Sequence, residues 1–249
     1  MSAETEVAED LPVVTRGGAP RWRRDRIFFA AMAVAAALTV FAGFSRTYFL
    51  KGFFEARTLS LFFHVHGAVF TCWIILFLVQ VTLVAAGRTD IHRRLGVAGA
   101  VLAVVMVVIG LMAAIDSARR GFTPPNGPPS LVFLVVPVAD LVVFATLIAA
   151  GLWLRRRSAA HKRLMLLATI SILTPAIARL PGIAAAGPLA FLGLTDLFIV
   201  ACLVYDRLGN GRVHRAFLWG GLFIIVSQPL RFLIAQTPQW LAFARWLTR

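Results

Sequence analysis

The chain has 249 residues, 59% hydrophobic and only 14% charged, with a formal net charge of +14. So apolar a chain cannot hide its surface in one soluble core, which places it in a bilayer. The positive charge does not call for nucleic acid, because no basic domain with interleaved aromatics lies outside the apolar runs.

The first 26 residues form a polar tail, acidic and then basic, read as a disordered cytoplasmic segment. Apolar runs follow at 27–44, 59–86, 95–115, 131–154, 164–182, 188–205 and 216–236. Most approach the ~20 residues a helix needs to cross ~30 Å of hydrocarbon, so seven spans are predicted. The first run is longer than the ~7–15-residue core of a signal peptide and is read as retained. Connectors are short except the Pro- and Gly-rich loop from Asp116 to Ser130. The end of the chain, 237–249, carries Trp240, Arg245, Trp246 and Arg249 among apolar residues and reads as an interfacial helix. Cys72 and Cys202 both fall inside spans, which speaks against a disulfide framework.

Charge sets the orientation. With the N-terminus inside, the inner segments hold sixteen of the basic residues (Arg16, Arg21, Arg23, Arg24, Arg26, Arg88, Arg93, Arg94, Arg155, Arg156, Arg157, Lys162, Arg163, Arg207, Arg212, Arg215). The outer segments hold seven (Arg46, Lys51, Arg57, Arg119, Arg120, Arg245, Arg249). This bias places the N-terminus in the cytoplasm and the C-terminus in the periplasm. The expected fold is an all-α bundle of seven transmembrane helices spanning 27–236. After the first helix it is built from hairpins over 59–115, 131–182 and 188–236.

Three of the spans start with a histidine followed by a basic residue: His92-Arg93-Arg94, His161-Lys162-Arg163 and His214-Arg215. Two of these carry a proline and then an arginine further in, Pro175 with Arg179 and Pro229 with Arg231, which makes an internal repeat. At ~1.5 Å per residue, His66, Asp140 and Asp196 lie about 11–15 Å below the outer surface. Arg179 and Arg231, counted from the inner side, reach roughly the same layer. Gln228 joins them there. Charges at such depth are costly, so these groups are expected to face the bundle interior and one another. His64 and His66, two apart, point ~200° from each other on a helix, and His66 matches the aspartates in depth.

Several chemistries compete for these residues. His66, Asp140 and Asp196 suit a divalent metal or proton chemistry, with Arg179, Arg231 and Gln228 holding an anionic or lipid-like substrate. A haem b electron carrier would use the inner-rim histidines His92, His161 and His214, with a quinone or other lipophilic partner. A small proton-coupled carrier would titrate Asp140 and Asp196. Buried Asp–Arg pairs can also lock helices with no chemistry at all. No nucleophile elbow, P-loop or dinucleotide-binding glycine run occurs in a supporting context.

The strings Phe63-His64-Val65-His66-Gly67, Gly87-Arg88-Thr89-Asp90-Ile91-His92-Arg93-Arg94-Leu95-Gly96 and His161-Lys162-Arg163-Leu164-Met165 resemble those of uncharacterised bacterial polytopic inner-membrane proteins. The histidines that open helices also bear a fainter similarity to b-type membrane cytochromes of the cytochrome b561 kind. The resemblance implies a multi-pass protein of the bacterial plasma membrane in contact with its lipids, and in its fainter part a haem b held between helices.

Overall fold

The computed structural model describes residues 21–54, 58–124 and 127–249, and every regular element among them is helical. The polar tail read from the sequence lies outside the described residues as far as residue 20. Helix α1 (Arg21–Phe44) runs on through a π-helical turn at Ser45–Phe49. It is followed by α2 (Leu61–Ala85), α3 (Thr89–Arg119), α4 (Ser130–Phe133), α5 (Val135–Trp153), α6 (Ser158–Ser171), α7 (Thr174–Ile177), α8 (Pro188–Asn210), α9 (Arg215–Ala235) and α10 (Pro238–Leu247).

Six helices are long and apolar enough to cross a membrane: Trp22–Phe49, Leu61–Ala85, Thr89–Arg119, Ser130–Trp153, Pro188–Asn210 and Arg215–Ala235. The protein is thus an all-α, multi-pass membrane protein. Its outer faces agree, since Val97, Val101, Val104, Val108 and Met112 form one exposed apolar stripe along α3. A stripe of that kind is at home against lipid tails and out of place in water.

The run expected as the remaining span, 164–182, takes a different form. α6 is 14 residues long and α7 only four. The cause is Pro175, which has no amide proton to give the carbonyl four residues back and whose ring crowds it. That carbonyl belongs to Ser171, where α6 stops. Pro137 acts in the same way, for α4 ends at Phe133, four residues before it.

The second half of α6 is buried on nearly every side, with Leu164, Leu166, Leu167, Ala168, Thr169 and Ile170 all in the core, as expected of a stretch that is apolar on most faces. It packs against α5, α9, α1 and α8. Glycines let the neighbours come close. A Cβ on Gly220 would lie 2.6 Å from Leu167, and one on Gly43 would lie 2.1 Å from the Ala176 carbonyl oxygen. α10 closes one end of the bundle: Trp240 Nε1 donates to the Leu131 carbonyl at 2.9 Å, and Thr237 caps the helix through the Trp240 amide at 3.2 Å. The opposite end carries Arg88, Arg93, Arg94, Arg155–Arg157, Arg207, Arg212 and Arg215, and is called the basic end below.

Candidate functional sites: two polar layers

The layer nearer α10 contains the residues singled out by depth. Asp140 on α5 and Arg231 on α9 form a buried ion pair at 2.5 Å. Arg231 also donates to Ser227 Oγ at 3.2 Å, while its Nε is buried with no partner. Three residues earlier on α9, Gln228 Nε2 donates to Asp196 Oδ1 on α8 at 2.8 Å. Residues three apart share a helix face, so α9 ties α5 and α8 together along one polar ladder. Beside it, the hydroxyls of Thr174 and Thr195 meet at 3.1 Å between α7 and α8.

His66 and Arg179 stand outside that ladder. The His66 ring packs against Phe70, with ring centres 4.4 Å apart and planes at 33°, and its Nδ1 is buried without a partner among the described residues. His64 turns elsewhere, as expected from their spacing: its Nε2 lies 3.0 Å from Lys51 Nζ. Arg179 is exposed, donates to the Pro175 carbonyl at 2.7 Å and lies over the Phe44 ring at 4.7 Å. Among the described residues it has no carboxylate partner.

Among the described residues no three His, Cys, Asp or Glu side chains gather as a metal-holding group, so His66, Asp140 and Asp196 do not converge on one ion. Asp140 is committed to Arg231 and Asp196 to Gln228. The same pairing occupies two of the three groups assigned to anion binding, Arg231 and Gln228.

The layer at the basic end is the more deeply buried. Arg163 is 1% exposed and Asp206 0%. Arg163 Nε donates to Asp206 Oδ2 at 2.9 Å while Nη2 donates to Oδ1, a two-pronged grip. Asp206 also accepts from Asn210 Nδ2 at 3.0 Å and from the His214 amide at 2.9 Å. Arg163 Nη1 donates to the Ala159 carbonyl, and the guanidinium lies over Phe217. Next to it, Asp25 on α1 pairs with Lys162 and accepts from the Tyr205 hydroxyl. These contacts pin α1, α6, α8 and α9 to one another.

The three rim histidines do different work. His214 caps α9, its Nδ1 accepting from the Ala216 amide at 3.1 Å. His161 on α6 donates from Nδ1 to the Gly151 carbonyl at the end of α5, at 2.8 Å. His92 on α3 faces His161 with ring centres 6.3 Å apart and planes at 80°, and its Nδ1 is buried without a partner. Gln80 Nε2 on α2 donates to the His92 carbonyl at 3.2 Å, and Gln80 Oε1 is also unpartnered. The three-histidine site expected at this rim is therefore a pair, His92 with His161.

Burial first, and then the nearby Arg163 guanidinium, hold His214 below the usual imidazole value of 6.5. Its cap needs a neutral ring, because a protonated Nδ1 cannot accept. The folded protein binds this proton less readily than the unfolded chain, so the stabilisation is present above the unfolded value and is lost as pH falls through the lower folded one. The thermal midpoint is expected to fall on acidification below about pH 6.5. His214→Asn, which caps without titrating, should flatten that part of the profile by about 0.5–2 kcal/mol.

Sequence reasoning missed Asp25 altogether and treated Arg163 only as an orienting charge. A signal for Arg163 is present: Lys162 and Arg163 directly precede the apolar stretch Leu164–Ala168, so charges there must find partners inside the bundle. No protein-family model, no curated protein and no solved structure matches this chain.

Proposed function

We propose that the protein is a haem-binding membrane protein of the bacterial plasma membrane, with its basic end in the cytoplasm and His92 and His161 as the axial ligands of one haem b. The observation that carries this reading is the pair of imidazoles from separate helices with ring centres 6.3 Å apart. That separation accommodates one metal at about 2.0–2.1 Å from a nitrogen of each ring.

The hydrogen bonding around the pair supports it. A carbonyl can only accept, so His161 Nδ1 carries the proton towards Gly151 and the lone pair of the neutral ring is left on Nε2. A backbone carbonyl behind a ligating histidine fixes its tautomer and orientation in this way. The buried Nδ1 of His92 has no protein partner, so that ring too has bonding capacity unused by the fold.

Ligand count favours haem over a bare ion. Zinc-like ions take three or four protein ligands, whereas these two imidazoles have no third His, Cys, Asp or Glu beside them among the described residues. Haem, which brings its own macrocycle nitrogens, would need only the two imidazoles His92 and His161 to hold it. Exposed Arg93 and Arg94 beside His92, and Arg155 six residues before His161, suit the carboxylates of such an amphiphile at the membrane edge. When bound, haem iron supplies one-electron chemistry.

Full-length protein, expressed with haem precursors supplied and purified in detergent, is expected to show a Soret band and one extractable haem per chain. A colourless preparation under those conditions would end this reading.

A further inference from the structure

A hollow of about 930 Å³ opens at the basic end between the end of α5 and the starts of α6 and α9. That volume lies within the ~300–1,000 Å³ typical of ligand pockets. Its lining has an uneven chemistry: Arg156, Arg157, Arg212 and Arg215 stand around it, Leu164 and Trp219 give it an apolar side, and among the described residues no carboxylate lines it. Neither His92 nor His161 takes part, so it is separate from the paired histidines.

We propose that this hollow binds the phosphate head group of an anionic lipid from the leaflet at the basic end. Four guanidiniums without a compensating acid offer planar forks that match phosphate oxygens. The first turn of α6, which no side chain caps, also opens here and adds the positive end of its dipole. The apolar side and Trp219 suit the glycerol and acyl part of an amphiphile, and tryptophan favours this depth in a membrane. Basic pockets between helices on the cytoplasmic side are the sites where anionic head groups are held. A free phosphate shares the anionic chemistry but makes no use of the apolar side.

The test places full-length protein in phosphatidylcholine nanodiscs with rising fractions of phosphatidylglycerol and reads the thermal midpoint. The midpoint is expected to climb and saturate. At ~1 kcal/mol per arginine, Arg212→Gln with Arg215→Gln should raise the phosphatidylglycerol fraction at half-effect by about 25-fold. Arg156→Gln with Arg157→Gln should do the same, and it serves if the first pair fails to fold. Arg88→Gln with Arg207→Gln, at the same end but outside the hollow, should change it by less than about twofold, a difference of under ~0.5 kcal/mol. An equal loss in that control would reduce the effect to general surface attraction and overturn the proposal. So would a flat response to phosphatidylglycerol, or an equal rise with inorganic phosphate in pure phosphatidylcholine discs.

Discussion

Replacing Asp206 by alanine is expected to destabilise the protein by about 3–5 kcal/mol, the cost of leaving a buried charge without its partner. Arg163 is 1% exposed and donates to Asp206 through two nitrogens, so its charge would have no water to turn to. The His214 amide and Asn210 Nδ2 would lose their acceptor in the same step. Denaturant titration of the purified protein in detergent measures the loss. Buried ion pairs are costly to desolvate, so Arg163→Met combined with Asp206→Leu is expected to recover most of it. Wild-type stability in Asp206→Ala would show that Arg163 reaches solvent or another acid.

The second large effect lies at the other end of the bundle. Asp140→Ala should cost about 3 kcal/mol, at the lower end of the same range. Arg231 keeps Ser227 Oγ as an acceptor, which softens the loss, although its Nε has no partner even in the intact protein. Asp140→Leu with Arg231→Met removes both charges together and should return close to wild-type stability, since the pair bridges only α5 and α9. A double variant as unstable as the single one would mean that the pair holds a third group in place. The same denaturant titration reads both variants. The two sites belong to different layers and share no residue, so losses from Asp140→Ala and Asp206→Ala should add to within about 0.5 kcal/mol.

Much of this arrangement is legible in local sequence. The long apolar runs give the membrane helices, and Pro175 and Pro137 mark where α6 and α4 stop because each proline disables a carbonyl four residues back. The depth count brings Asp140 to Arg231, and the two-residue spacing of His64 and His66 sends them to different surroundings. What local pattern cannot carry is which helix faces which. The histidine-basic repeat looks uniform in the sequence. Yet His214 caps its own helix, His161 reaches the end of α5 and His92 faces His161, because each helix start meets different neighbours. Which acid answers Lys162 is hidden for the same reason: Asp25 lies on α1, far along the chain from Lys162 on α6 and Tyr205 on α8. The break in the run 164–182 and the burial of α6 are likewise hidden in composition, which is the same whether lipid or protein covers a helix.

The most direct measurement compares the Soret absorbance of wild type, His92→Ala, His161→Ala and His214→Ala, each purified in parallel and normalised to protein. Two axial ligands on α3 and α6 predict that the band collapses in the first two variants and persists in His214→Ala, whose ring is spent on a helix cap. Loss of the band in His214→Ala with retention in His92→Ala would contradict the pairing of His92 with His161.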